Sequence, residues 1–303
     1  MEEPGLQSKK SYQFRVSAED EGCTLRYFLT KQCGLSRKRV REASVRGDIL
    51  VDHTPQYLNQ PVQHGQLVEL YYQEHSGSGV QPQPIPINIL YEDEDLLVLD
   101  KPAGLVVHPT RGYPDGTLAN GIAYHWLQQG LQEPVRIVTR LDRNTSGLVL
   151  VAKNELAHYL LVQAFTAGTG QKRYIALVEG AVVPQSGTIS APISFAPGSI
   201  IKRCVTNHGK EAVTHYRSLR RWLNYTLLDI GLETGRTHQI RVHFSYRGHP
   251  LLGDDLYQGT PLPTLGRQGL HAYLLQFNHP RTQAGLKIVS PLPLDIRETI
   301  NQL

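Results

Sequence analysis

The sequence predicts an α+β fold, with a mixed or antiparallel sheet as its larger part and a small basic α/β unit ahead of it. Three observations predict this. From Ile87 onward the apolar residues come in short, strand-length runs rather than in regular strand–helix alternation. Residues 75–86 are crowded with Ser, Gly, Pro and Gln, which denies backbone donors and adds freedom, the signature of a linker. Ahead of that linker, cations cluster beside helix-start signals. At 303 residues the chain is long enough for two cored units. The expected organisation is an N-terminal unit over 12–74, a flexible linker over 75–86 and a larger unit over 87–303.

Taken in order, residues 1–10 are polar and expected to fray. Leu25, Phe28 and Leu29 fall at helical spacing within Thr24–Cys33, and Gly34 stops that segment. Ser36 is placed to cap a second helix running to about Val45. Arg46-Gly47-Asp48 reads as a turn, Ile49–Val51 as a strand, His64-Gly65 as a turn and Leu67–Tyr72 as a strand. Beyond the linker, Ile87–Tyr91 and Leu96–Leu99 flank an acidic turn, and Leu148–Ala152 and Tyr174–Val178 are apolar runs of strand length. Glu155–Ala167 carries Leu156, Tyr159, Leu160 and Phe165 near helical spacing, the clearest helix of this part. Thr226–Leu232 and Gln239–Phe244 read as further strands.

Composition narrows the function classes. Hydrophobic residues make up 40% and charged residues 19%, an ordinary globular balance. No apolar run reaches the length of a signal peptide core or a membrane span, so a soluble cytoplasmic protein is expected. Cys23, Cys33 and Cys204 are odd in number and lack CxxC spacing, which argues against a disulfide framework or a Cys-rich zinc site. The histidines form no HExxH, and the pair His238 and His243 lacks a matching acid, so no metal is expected. Net charge is only +4, but Lys31, Arg37, Lys38, Arg39, Arg41 and Arg46 face a single acid, Glu42, within one short stretch. That local surplus exceeds the charge of the whole chain and suits phosphates.

Four constellations carry possible chemistry. In Arg140-Leu141-Asp142-Arg143-Asn144-Thr145-Ser146-Gly147, an acid lies between two arginines that favour its ionised form, on a turn fixed by the apolar strand that follows. A surface loop with a structural ion pair fits the same residue types. In Gly235-Arg236-Thr237-His238-Gln239-Ile240-Arg241-Val242-His243, strand alternation would put Thr237, Gln239 and Arg241 on one face; a polar edge strand is the bland alternative. Lys172-Arg173-Tyr174 opens a strand with a tyrosine able to stack on a base, or simply half-buried. Asp100-Lys101-Pro102-Ala103-Gly104 sets a lysine on a rigid turn.

Together these segments resemble the RluA-type pseudouridine synthases. INILYEDEDLLVLDKPAGLVVHP (87–109), RLDRNTSGLVLVAK (140–153), KRYIALVEG (172–180), GKEAVTHY (209–216), GRTHQIRVH (235–243), GHPLLGDDLY (248–257) and LHAYLLQFNHP (270–280) run in that family's order. The segment GLSRKRVREASVRGDILVD (34–52) is similar, more loosely, to an S4 RNA-binding domain. One departure is Thr139, where the family commonly has histidine before the RLD tripeptide.

The resemblance implies a pseudouridine synthase catalytic domain behind an S4-like domain, working without cofactor or metal. Asp142 would be the catalytic aspartate, Arg241 its ion-pair partner and Tyr174 the residue stacked on the target uracil. Arg140 would help displace the base, Lys101 would line the phosphate side, and Gln239 would contact substrate. Arg37, Lys38, Arg39 and Arg41 would hold RNA phosphates. The expected partner is RNA, ribosomal RNA of the large subunit first and transfer RNA second, with the enzyme a monomer. Two other functions fit part of the pattern: a non-catalytic RNA-binding or ribosome-assembly protein, and a hydrolytic N-glycosidase.

Overall fold

The computed structural model describes residues 10–72, 79–131 and 133–303. Most of the expected frayed N-terminus (1–9) and the first part of the expected linker (75–78) lie outside the described residues.

The N-terminal unit begins with β1 (Lys10–Arg15) and α1 (Leu25–Tyr27), continued by a wider π turn over Phe28–Gln32. α2 (Arg37–Arg46) follows, with Ser36 Oγ accepting the Arg39 N–H at 3.2 Å. Gly47 ends it at φ 73°, a left-handed turn that costs glycine nothing for want of a Cβ. β2 (Ile49–Val51), β3 (Thr54–Pro55) and β4 (Leu67–Tyr72) complete an antiparallel sheet ordered β1-β4-β2-β3. α2 buries Val40 and Ala43 against it and turns most of its cations outward.

The larger part is built on one ten-stranded sheet. Its elements run β5 (Ile89–Glu92), β6 (Leu96–Lys101), α3 (Leu118–Gln128), β7 (Arg136–Ile137), β8 (Ser146–Ala152), α4 (Glu155–Thr166), β9 (Gln171–Glu179) and β10 (Ser186–Ser190). A separate hairpin of β11 (Ile193–Phe195) and β12 (Arg203–Val205) precedes β13 (Val213–Arg221), β14 (Tyr225–Leu232), α5 (Gln239–Tyr246), β15 (Leu270–Asn278), β16 (Gly285–Val289) and α6 (Leu294–Gln302). The sheet is mixed. Every pairing is antiparallel except that of β15 with β8, which run parallel through His271 and Ser146.

β6 and β8 are covered on both faces, which is why they read as unbroken apolar runs. Alternate residues serve different cores. Leu97, Leu99, Val149 and Val151 pack on α3 through Leu118, Ile122 and Trp126. Leu96, Val98, Leu148 and Leu150 face α4 and join a core that includes Tyr12, Leu29, Val40 and Leu70 of the N-terminal unit.

That shared core overturns the expectation of a loosely tethered N-terminal unit. A polar network reinforces it. Arg281 forks onto Asp95 at 2.6 and 2.8 Å, donates to Ser11 O at 2.6 Å and lies over the Tyr12 ring. Tyr12 donates to Asp95 Oδ1 at 2.8 Å, and Asn154 Nδ2 donates to it at 2.7 Å. Burial alone would raise the Asp95 pKa, but Arg281, Tyr12 and Asn154 outweigh it and the net shift is downward. The described part of the linker is not free either. It runs along α3, where Gln83 N–H donates to Asn120 O, Asn120 Nδ2 donates to Gln81 O, and a Cβ on Gly121 would lie 2.9 Å from Ile85 O.

Two further differences concern helices. Residues 239–246 form a helix, not the expected strand. The alternation of Ile240, Val242 and Phe244 mimics a strand because the helix is buried all round and shows no one-sided apolar stripe. α3 and α6 are helices beyond those the sequence patterning predicts. α3 has a local signal in Leu118, Ile122 and Trp126, with Thr117 and Asn120 forming a capping box.

Candidate active site

A cleft of about 940 Å³ opens between the 106–110 loop, residues 135–142, β9 and the entry to α5. Its centrepiece is the 140–147 loop, which the fold clamps from several sides. Thr145 N–H donates to Asp142 O at 3.1 Å, closing a turn. Gly147 has φ 109° and lies so close to β15 that a Cβ would be 2.2 Å from Ala272 O. Arg267 donates to Asn144 O and to Ser146 Oγ, both at 3.1 Å, while Asp295 of α6 holds its guanidinium at 2.6 and 3.0 Å. Gln268 Nε2 donates to Thr145 Oγ1 at 3.2 Å.

On this loop Asp142 faces the cleft, half-buried. Arg241 Nη1 donates to its Oδ2 at 3.2 Å. The rest of that guanidinium grips Asp254 in a fork, Nε to Oδ2 at 2.6 Å and Nη2 to Oδ1 at 2.8 Å. Arg241 is 5% exposed and Asp254 fully buried, so Asp254 fixes the arginine and leaves one N–H for Asp142. His238 Nε2 lies 3.9 Å from the other oxygen, Asp142 Oδ1. Neither flanking arginine supplies the charge expected of it. Arg143 instead donates to Gly104 O at 3.2 Å and to Tyr113 OH at 2.7 Å, and Arg140 is exposed at the cleft wall.

Of the anticipated site residues, Asp142, Arg241, Tyr174, Arg140 and Gln239 all border this cleft. Tyr174 is buried on β9, and burial together with Asp142 pushes its phenol well up, so the hydroxyl stays protonated. Thr139 is buried, its Oγ1 accepting the Leu150 N–H at 2.9 Å, which ties the approach to the loop onto β8.

Three anticipated contacts are corrected by the geometry. Lys101 does not line a phosphate side. It is 1% exposed, and its ammonium donates to Pro102 O, Leu105 O and Arg143 O at 2.8, 2.9 and 2.9 Å. Burial first, and Arg267 second, push its pKa down to about 7, against the opposing charges of Asp142 and Asp100. Its place is beneath the loop, pinning the residue after Asp142. Gln239 has no amide group left for substrate. Its Oε1 accepts from Thr234 Oγ1 and Arg236 N–H, and its Nε2 donates to Val213 O and Thr214 Oγ1. On α2, Arg37, Lys38 and Arg41 are exposed, but Arg39 pairs with Glu155 and lies over the Tyr159 ring of α4, at the junction of the two parts.

Sequence patterns alone do not single out Asp254, His238, Tyr257 and Arg267 as site residues. Asp254 and Tyr257 stand in GHPLLGDDLY and His238 in GRTHQIRVH, but neither segment's spacing shows that they meet. The one cluster with metal-ligand geometry among the described residues, Asp93, Asp95 and His279, lies in the junction network instead. Its ligand atoms are taken by Arg281, Tyr12, Tyr91 and backbone N–H groups.

A clamped carboxylate facing an open cleft fits an enzyme site, and the sequence comparison gives its class. Residues 95–246 match the RNA pseudouridylate synthase family, and the chain belongs to that family, within its RluA-type members: it is an RNA pseudouridine synthase, an isomerase. It is 41% identical over 271 residues to the uncharacterized RNA pseudouridine synthase YjbO of Bacillus subtilis, covering 89% of this chain and 95% of that one. It is 45% identical over 243 residues to ribosomal large subunit pseudouridine synthase D of Pseudomonas aeruginosa, covering 76% of this chain and 75% of the relative. Among solved structures, human RNA pseudouridylate synthase domain containing 1 superposes with a TM-score of 0.56 at 26% identity, over 70% of this chain and 85% of that one. Among the described residues, no helix is long and apolar enough to cross a membrane.

Proposed function

We propose that this enzyme isomerises specific uridines in large-subunit ribosomal RNA, with Asp142 as the carboxylate that carries the reaction. The observation that supports this most directly is the hold on Asp142, with Arg241 on one oxygen and the other left facing the cleft. The substrate class rests on relatives named ribosomal large subunit pseudouridine synthase D, at 38 to 45% identity.

The reaction is atom-balanced. The bond from N1 of the base to C1′ breaks, a bond from C5 to C1′ forms, C5 loses a proton and N1 gains one. No electron or group is left over, so no cofactor is required. Cleavage develops positive charge on the sugar, and an ionised carboxylate stabilises or traps it. Arg241 donates to Asp142 and orients it, and Asp254 keeps Arg241 aimed. Tyr174 forms a wall for the detached uracil and, staying protonated, is no base. Arg140, exposed at the cleft wall, would help displace the target base. We read residues 12–74 as an S4-like RNA-binding unit, whose exposed Arg37, Lys38 and Arg41 meet phosphates.

The test is Asp142→Asn on purified ribosomal RNA, with pseudouridine mapped by carbodiimide-labelled primer extension. We expect isomerisation to be lost and RNA affinity to stay within about twofold. Full activity in the variant would remove Asp142 from the mechanism. Loss of sites in transfer RNA but not in ribosomal RNA, in cells lacking the gene, would replace the substrate.

A further inference from the structure

His238 stands at an unusual point. It enters α5 at φ 59°, a left-handed conformation uncommon for a residue with a side chain, and so turns its ring toward Asp142. The side chain is only 12% exposed, and Nε2 is 3.9 Å from Asp142 Oδ1, the oxygen that Arg241 leaves free. Its other nitrogen, Nδ1, is 2.9 Å from the hydroxyl of Tyr257. That hydroxyl also accepts the Arg203 N–H at 3.0 Å. With its acceptor side occupied by Arg203, Tyr257 has its proton to give, and Nδ1 is there to accept it. Nδ1 is then unprotonated and the ring hydrogen sits on Nε2, facing the carboxylate.

We infer that His238 is a positioning residue for Asp142, its tautomer set by Tyr257, and that this chain of contacts ties the β11–β12 hairpin to the orientation of the carboxylate. The inference rests on Asp142 being the reactive group. Arg203 N–H orients Tyr257, Tyr257 orients His238, and His238 Nε2–H faces Oδ1 across 3.9 Å while Arg241 holds Oδ2. A carboxylate gripped at one oxygen rotates about that contact; a second donor fixes its plane. The 3.9 Å gap is too long for a hydrogen bond, and a small turn of the carboxylate toward bound substrate closes it. The hairpin itself carries Phe195, with Ile200 and Ile201 exposed at its tip, so it presents apolar surface to solvent. The groups facing His238 are Asp142, Asp254, Arg241, Arg203 and Tyr257. Burial leads among them and keeps its pKa below the ordinary 6.5, so the ring is neutral at working pH.

His238→Asn isolates the role. Asparagine tolerates the left-handed backbone and keeps a polar atom near Tyr257, but has nothing at the Nε2 position. On full-length enzyme and ribosomal RNA, we expect the single-turnover rate to fall about 10- to 100-fold with RNA affinity unchanged, up to about the loss from misplacing a reacting group by roughly 1 Å. In the wild type the rate falls as pH drops through an inflection below 6.5, because a protonated ring must donate from Nδ1 to an oxygen already occupied; His238→Asn abolishes that inflection. Tyr257→Phe should give a smaller drop and shift the inflection. A His238→Asn rate within about twofold of wild type, with an unchanged pH profile, overturns the inference. Asp142→Asn run alongside separates the two readings: if it is inactive while His238→Asn is normal, only the positioning role fails, and if it is active, the carboxylate assignment itself fails.

Discussion

α2 opens on Ser36 and holds Arg37, Lys38 and Arg41 out to solvent; α5 opens on His238 and buries Arg241 and His243. The two helices have similar lengths, yet their charges serve opposite ends. On α2 the ammonium and guanidinium groups stay hydrated, which leaves them free to exchange counterions for phosphates. On α5 each buried polar group is committed before substrate arrives: Arg241 to Asp254 and Asp142, and His243 to Thr214 and Ala191. A buried charge is tolerable only when paired, so α5 can hold its cation beside Asp142 only because Asp254 is already there.

The sharpest way to break this contrast is to remove the buried cation. Arg241→Met leaves Asp254 buried without its partner, and we expect a stability loss of about 3–5 kcal/mol, read from urea unfolding, together with loss of isomerisation. A variant of normal stability would mean that Asp254 finds another donor and that α5 is not built around the pair.

Acid separates the helices next. His238 and His243 at α5 are both held below their ordinary pKa of 6.5 by burial, and α2 carries no histidine. Between 6.5 and the lowered native values the unfolded chain binds the extra protons, so stability falls as pH is lowered through that window. His158 and His271 act in the same sense. We expect a lower urea midpoint at about pH 5.5 than at about pH 7.5, above the range where the carboxylates titrate, and a smaller difference in His243→Gln. A flat midpoint across this range would mean that the imidazoles are as accessible to protons in the folded protein as in the unfolded one.

The smallest effect on stability belongs to α2. Alanine at Arg37, Lys38 and Arg41 should leave the unfolding midpoint unchanged while the slope of log affinity against log salt flattens by about 0.7–0.9 for each phosphate no longer neutralised. Arg39→Ala makes the internal control. Its guanidinium is spent on Glu155 and Tyr159, so we expect a stability loss of about 0.2–1 kcal/mol and an unchanged slope. A full loss of slope from Arg39 alone would move the RNA-binding face to the junction.

The same contrast explains what the sequence could and could not disclose. α2 is legible because an N-cap serine, two buried small or branched residues and a closing glycine all report the same helix. β4 and α4 are legible for similar local reasons. α5 is not, since a helix buried on every side has no polar face to betray its period, and Ile240, Val242 and Phe244 happen to alternate. Lys101 misleads for a related reason: a lysine on a Pro-Gly turn looks solvent-facing until the tertiary structure puts three carbonyls around it. Asp142, Arg241 and Tyr174 are reached through a family resemblance, not through spacing. His238 has no local signal at all, because its importance comes from Tyr257 and Arg203, which other parts of the chain deliver.

The contact between Arg281 and the carbonyl of Ser11 spans 270 residues of chain. During synthesis on a ribosome, the guanidinium that anchors β1 and the β15 residues Leu275 and Phe277 that complete its core emerge hundreds of residues after it, Arg281 270 residues after Ser11. The first strand therefore waits for almost the last, and the long-range pairing at this junction makes its formation a late and slow event in folding. A nascent chain arrested before Leu270 would lack Leu275 and Phe277 from this core and the Arg281 anchor of β1, leaving the junction incomplete.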